Sequence, residues 1–302
     1  MNVDLTTRVG DVALSSVVLT ASGTSGYADE LADYGDLGAL GAVVVKSLAA
    51  FAWPGNPAPR VTAMGADMVN SVGLAGPGVD AWRAEGLPRL IARGATVVAS
   101  IWGRTVEEFA HAAESMRGAP VAAVEVNASC PNLDDRSRVF AHSPRATAEV
   151  VAASLCADRP LWVKLSPNTP DLVEVAAAAL AAGASALVLT NTLLGMAIDV
   201  DARRPALGAG VGGVSGAGLL PVALRAIFDC RAALDAPIVG VGGVASGEDA
   251  VAMVMAGAHA VEVGTATFAD PRAPWRVQRG VARWMRRHGV ASLDEVRGSA
   301  HG

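Results

Sequence analysis

The sequence predicts a (β/α)8 barrel, on three observations. Eight short β-branched runs recur along the chain, Ala-rich amphipathic stretches separate them, and polar side chains gather where the runs end. The runs are near-continuous hydrophobic rather than alternating, which is the pattern of strands covered by helices. Strict alternation of strand and helix, with no composition break to mark a linker, favours a closed barrel over an open doubly wound sheet. It assigns residues 1–302 to one domain.

In chain order the expected strands are VVLT (17–20), AVVVK (42–46), TVVASI (96–101), AAVEVN (122–127), LWVKL (161–165), ALVLT (186–190), PIVGVGG (237–243) and HAVEVG (259–264). Helices are expected over 105–116, 144–156, 171–182 and 248–256, several opening on a capping Thr, Ser or Asp and closing near Gly. Long connections at 51–76, 131–143 and 193–216 follow the second, fourth and sixth strands. They leave the carboxyl ends of the strands, where barrels of this class place their chemistry, and they are long enough to roof a site there.

Composition narrows the function. Hydrophobic residues make up 52% and aromatics only 4%, so the core is built mainly from Ala, Val and Leu. A net charge of −5 provides no basic field for nucleic acid or anionic lipid, and a small-molecule function is expected. The uncharged run 175–200, interrupted only by Asp199, is cut by Gly183, Ser185, Asn191 and Gly195 and is not a membrane span. The amino terminus carries Asp4 and Asp11 and reads as neither signal peptide nor anchor, so a cytoplasmic protein is expected. Cys130, Cys156 and Cys230 are far apart, which argues against a disulfide framework or a metal cage.

Five strands end on, or run into, a polar residue: Lys46, Ser100, Asn127, Lys164 and Asn191. The segment Glu125-Val-Asn-Ala-Ser-Cys-Pro-Asn132 gathers a thiol and two carboxamides at one rim. Cys130 there reads as a nucleophile or a base, or as a small apolar filler, the role assigned to Cys156 and Cys230. No histidine directly follows a predicted strand, which weakens a Cys/His hydrolase reading. Lys46 and Lys164 each require an anionic partner, either a bound anion or a structural acid such as Glu125 or Glu262. Gly242-Gly243 and Gly264-Thr265 follow the last two strands and read as a phosphate site. Gly208-Ala-Gly210-Val-Gly-Gly213 satisfies GxGxxG but follows Arg203-Arg-Pro205 rather than a strand, so it reads as a flexible loop.

Taken in order, Thr20-Ala-Ser-Gly-Thr24, Lys46-Ser47, Pro54-Gly-Asn-Pro57, Asn70-Ser-Val-Gly-Leu74, Asn127-Ala-Ser-Cys-Pro-Asn132, Val163-Lys-Leu-Ser-Pro-Asn168, Thr190-Asn-Thr-Leu193, Gly212-Gly-Val-Ser-Gly216 and both glycine loops resemble the class 1 dihydroorotate dehydrogenases over nearly the whole chain. The resemblance implies FMN held by Ala21, Ser22, Lys46, Ser47, Asn127, Lys164, Ser215, Gly216, Gly242, Gly243, Gly264 and Thr265. It implies a dihydroorotate site of Lys46, Asn70, Gly73, Leu74, Asn127, Asn132, Asn191 and Thr192. Cys130 would take the C5 proton as C6 delivers hydride to the flavin, with Lys164 at the flavin pyrimidine edge and activity rising with pH as Cys130 ionises.

The 191–199 stretch is similar to the NAD-linked B-type. That implies a homodimeric catalytic subunit whose electrons leave through a second subunit carrying FAD and a [2Fe-2S] centre, since three scattered cysteines cannot hold a cluster. The loop Leu133-Asp-Asp-Arg-Ser-Arg-Val-Phe-Ala-His-Ser143 departs from the glycine-rich loop usual there, which leaves a related enzyme of the dihydropyrimidine dehydrogenase kind open. A non-redox phosphate-binding barrel, or a flavin-binding subunit kept for assembly, are the readings from other classes.

Overall fold

The computed structural model describes residues 2–129 and 140–302. Parallel strands β1 (Val18–Thr20), β2 (Val43–Val44), β3 (Val97–Ile101), β4 (Ala123–Asn127), β5 (Leu161–Leu165), β6 (Ala186–Leu189), β7 (Ile238–Val241) and β8 (Ala260–Val263) close into a barrel in chain order. Each falls within an expected run. Helices α1 (Val79–Ala92), α2 (Val106–Ser115), α3 (Pro144–Ser154), α4 (Leu172–Ala181), α5 (Leu220–Ala233), α6 (Gly247–Ala256), the short α7 (Ala266–Ala269) and α8 (Ala273–His288) follow the strands. Local chemistry sets several starts. The Thr105 hydroxyl accepts from Glu108 N, the Ser143 hydroxyl from Ala146 N, and Ser246 forms a capping box with Asp249.

Alternation along the strands makes two cores. Val97, Ala99, Ile101, Leu161, Val163 and Leu165 face outward and pack with helix residues such as Leu90, Phe109 and Val150. Leu19, Val44, Val98, Ala123, Trp162, Val188, Val239 and Ala260, one from each strand, face inward and fill the barrel. A hairpin of Thr7–Val9 with Val12–Leu14 adds Val9, Val12 and Leu14 to that inner cluster and plugs the amino-terminal end.

Two long connections do form a roof, but as a sheet. Leu193–Gly195, Gly212–Gly216, Asp67–Asn70 and Val61–Met64 pair antiparallel in that order. Their short, partly polar, glycine-containing runs carry little of the β-branched signal that marked the barrel strands. The reading of 208–213 as a flexible loop is therefore corrected at its end: 208–211 form a turn, but Gly212 and Gly213 are strand residues, paired with Gly195 and Leu194, and Gly213 also with Asn70. Cys230 is buried in α5, and burial pushes its thiol up to about 12. Cys156 is exposed, so the filler role assigned to it is also corrected. Among the described residues no helix is long and apolar enough to cross a membrane.

Helices α6 and α8 meet through glycine: a Cβ on Gly247 would lie 2.2 Å from the Gly280 carbonyl carbon. Gly247→Ala is expected to destabilise the protein by about 1–3 kcal/mol through overpacking, read by urea unfolding. An unchanged midpoint would mean the helices separate freely.

At the plugged end His259 accepts the Ile238 N–H on Nδ1 at 3.2 Å, and burial, with Arg297 and Arg231 nearby, lowers its pKa to about 4. An unfolded histidine titrates near 6.5, so between roughly pH 6.5 and 4 the unfolded chain binds a proton that the folded chain refuses. Stability from this residue is complete above that window and is lost as pH falls through it. His259→Gln is expected to remove that part of the acid slope in denaturation curves, and an identical slope would contradict the neutral folded imidazole.

Candidate functional site

A cavity of about 360 Å³ opens at the carboxyl ends of the strands, between the barrel rim and the roof sheet. That is within the range typical of small-molecule sites. A larger, shallower hollow of about 800 Å³ lies at the opposite end and includes Asp4, Thr7, Arg8, His259 and Arg297. Arg297 there is bound to Asp294 at 2.6 Å and to the Thr7 hydroxyl at 3.3 Å, while Arg8 donates to the Asp11 carbonyl. The smaller cavity holds the convergent chemistry.

One wall is a chain of hydroxyls and carboxamides. Ser22 and Ser47 meet at 3.2 Å, Ser47 and Ser100 at 2.9 Å, and the Ser100 hydroxyl donates to Glu125 Oε1 at 2.8 Å. Asn127 Nδ2 donates to the Ser47 hydroxyl at 3.1 Å, and Asn191 Nδ2 donates to Asn127 Oδ1 at 3.2 Å. These bonds fix which end of each carboxamide faces the cavity. Opposite them, Asn70 on the roof donates to Gly213 O at 3.3 Å.

The floor is ionic. Lys164 Nζ lies 3.3 Å from Glu262 Oε2 and 3.8 Å from Glu125 Oε2, with both carboxylates fully buried. Burial alone would lower the lysine pKa, but Glu125 and Glu262 outweigh it and raise the pKa above the usual lysine range. Burial raises the pKa of Glu262 to about 8, with the like charge of Glu125 adding to it against the pull of Lys164.

Glycine shapes the far wall. Gly242 and Gly243 have φ of 128° and 80°, and a Cβ on Gly243 would lie 2.5 Å from Leu220 N, so only glycine fits this turn. Gly264 and Thr265 face the same cavity from the end of β8. Leu74 lines it with φ of 60°, an uncommon conformation for leucine that is held by surrounding structure. Beside it Phe51, Trp53 and Trp102 pack edge to face with centroids 6.1–6.2 Å apart. The Arg104 guanidinium covers Phe51 and Trp53 at 4.9 and 4.8 Å, and Trp53 Nε1 donates to Gly73 O at 3.0 Å.

Comparison with known proteins agrees with this geometry. The family model described as dihydroorotate dehydrogenase matches residues 4–285. The chain belongs to the dihydroorotate dehydrogenase family. It is 43% identical over 298 residues to the protein of Alkaliphilus metalliredigens named dihydroorotate dehydrogenase B (NAD(+)), catalytic subunit, covering 98% of this chain and 99% of that one. Relatives of the same name from Pelobacter propionicus and Geobacter sulfurreducens are 43% and 42% identical, covering 99% of this chain and 99% of the first, and 98% of this chain and 98% of the second.

Of the residues the family resemblance implied, Ala21, Ser22, Lys46, Ser47, Asn70, Gly73, Leu74, Asn127, Lys164, Asn191, Thr192, Ser215, Gly242, Gly243, Gly264 and Thr265 all line the one cavity. Gly216 does not; it ends its roof strand at φ 123°, packed against Asp67. Cys130 and Asn132 lie outside the described residues. The structural-acid reading of Lys164 holds, since both acids named for it are its partners.

Sequence reasoning missed the roof residues Val61 and Met68 and the aromatic group under Leu74. The only signal for the latter was the concentration of a scarce residue class near 51–53 and 102. Among the described residues no group of three or more His, Cys, Asp or Glu could hold a metal.

Lys164→Met leaves two buried carboxyls without their cation. The expected cost at neutral pH is about 3–5 kcal/mol in denaturant unfolding, since buried acid is left without its counter-charge. A neutral substitution at pH 7 would mean that Lys164 does not pair with them in solution.

Proposed function

We propose that this chain oxidises (S)-dihydroorotate to orotate in de novo pyrimidine biosynthesis, in the cytoplasm, with FMN as hydride acceptor. The observation that carries the reading is convergence. Lys46, Lys164, Asn70, Asn127 and Asn191 come from five chain segments to one cavity, at the end of the strand that runs on to Cys130. The family membership and the relatives' names support the same reaction.

The residues present fit FMN. The glycine turns at Gly242, Gly243 and Gly264 let a phosphate approach backbone N–H groups, and the hydroxyl of Thr190, which lines the cavity, is buried without a hydrogen-bond partner. Lys164 supplies positive charge for the electron-rich pyrimidine edge. Bound FMN would supply the acceptor for hydride leaving C6 of the substrate.

The chain's own residues do the rest. Asn70, Asn127, Asn132 and Asn191 bind the ring, because carboxamides donate and accept along an amide edge. Lys46 offsets the substrate carboxylate, and Gly73, Leu74 and Thr192 shape the ring's edge. Cys130, as thiolate, removes the C5 proton. Ala21, Ser22, Ser47, Ser215, Gly216 and Thr265 complete the cofactor cradle. The words "catalytic subunit" in the relatives' names support a partner, which we assign as an FAD and [2Fe-2S] subunit that passes electrons to NAD, with the catalytic chain itself a homodimer.

Adding dihydroorotate anaerobically to the purified yellow chain is expected to bleach its flavin band, with poor turnover on NAD in the absence of the partner. Cys130→Ala is expected to keep the band and bleach about 10²–10⁴-fold more slowly. Bleaching at the full rate would remove Cys130 as base. A chain that stays colourless after FMN is added would remove the flavin.

A further inference from the structure

Lys164 sits between two acids, and its surroundings leave the charge unbalanced. In the period of two, Glu125 shares the inward face with Ala123, Lys164 with Trp162, and Glu262 with Ala260. The other strands meet this group with Leu19 from β1, Val44 from β2, Val98 and Ser100 from β3, Val188 from β6, and Val239 and Val241 from β7. None of those side chains is charged. Above the group, Lys46 lines the cavity from the segment after β2. The barrel interior at this level thus holds one ammonium and two carboxyls, all fully or nearly fully buried.

Two ionised acids against one lysine would leave a net negative charge in an aliphatic interior, which is costly. The geometry offers a remedy. Both carboxyls meet the one ammonium, at 3.3 Å for Glu262 and 3.8 Å for Glu125, and Glu125 Oε2 and Glu262 Oε1 are each buried without a hydrogen-bond partner. One proton held between the acids makes a donor of an orphaned oxygen, brings the group to neutrality and leaves Lys164 paired with a true carboxylate.

We propose that Glu262 is carried as a carboxylic acid, sharing one proton with Glu125, and acts as a positioning residue that holds Lys164 cationic at the cavity floor without making that floor negative. The upward displacement of Glu262 agrees with this, and it places the loss of the proton near pH 8. Below that pH the group is neutral; above it, the group carries one negative charge. The consequence for the cofactor rests on the flavin reading above. Reduction adds negative charge beside Lys164, so it is favoured while the proton is held and opposed once it is lost.

Two measurements test this on the FMN-loaded chain. Infrared spectra at neutral pH are expected to show a carboxylic-acid C=O stretch that shifts on deuteration, disappears as pH rises past about 8, and is absent from Glu262→Gln. Anaerobic redox titrations are expected to show the wild-type flavin potential falling more steeply with pH above neutrality than that of Glu262→Gln, whose side chain is always neutral. The variant then keeps the higher potential in alkali, a gain that a merely structural residue would not give.

A wild-type spectrum without the acid band, a band that survives Glu262→Gln, or potentials of wild type and variant that track each other across pH would each overturn the proposal. The infrared titration of the wild type needs no substitution and is read equally well on flavin-free chain. It therefore decides the shared proton even if the flavin assignment itself fails.

Discussion

Closure of the barrel is the constraint on which the site depends. A parallel strand places every second side chain inside, and eight such strands joined edge to edge leave an interior only as wide as the side chains that fill it. Lys164 and Glu262 are 98 residues apart in the chain, yet closure brings Nζ and Oε2 to 3.3 Å. With aliphatic neighbours on the remaining strands, Lys164 and the two buried acids at this level act strongly on one another.

The hydroxyl and carboxamide wall extends that layer upward. Glu125 is bonded to Ser100, Ser100 to Ser47, Ser47 to both Ser22 and Asn127, and Asn127 to Asn191, so the buried acid is connected through hydrogen bonds to the rim. Such a network pre-orients the groups that meet a ligand and reduces the rearrangement required when one binds. The roof works differently. Its antiparallel strands carry Asn70, Ser215 and Gly213 over the cavity, and the Phe51, Trp53 and Trp102 cluster steadies the adjoining Gly73–Leu74 turn from outside. A rigid floor and a separately supported roof fit a site that must admit and release its substrate.

The barrel strands were legible because each is a compact apolar run, and burial by helices imposes that composition wherever such a strand occurs. Lys46, Asn127, Lys164 and Asn191 stood out as polar residues closing apolar runs. The roof was not legible as a sheet. Gly212–Gly216 and Asp67–Asn70 are stabilised by each other across a separation of more than a hundred residues, and neither run carries a strand signal alone. Gly208–Gly213 misled for the same reason: glycine there serves close approach, with a Cβ on Gly212 falling 2.4 Å from Asn70 O.

By itself the sequence determined the closed (β/α)8 architecture and the rim that carries the chemistry, because hydrophobic period and strand-end residues are written in the order of the chain. The family, and many of the residues that converge on the cavity, were legible through the resemblance of its motifs to known enzymes. Only the tertiary structure decided that Lys164 is shared between Glu125 and Glu262 rather than paired with one, that the roof is a sheet, and that aromatic residues support Leu74. Those facts depend on distances between residues far apart in sequence, and the charge balance of a buried cluster is a property of the whole enclosed volume rather than of any one segment.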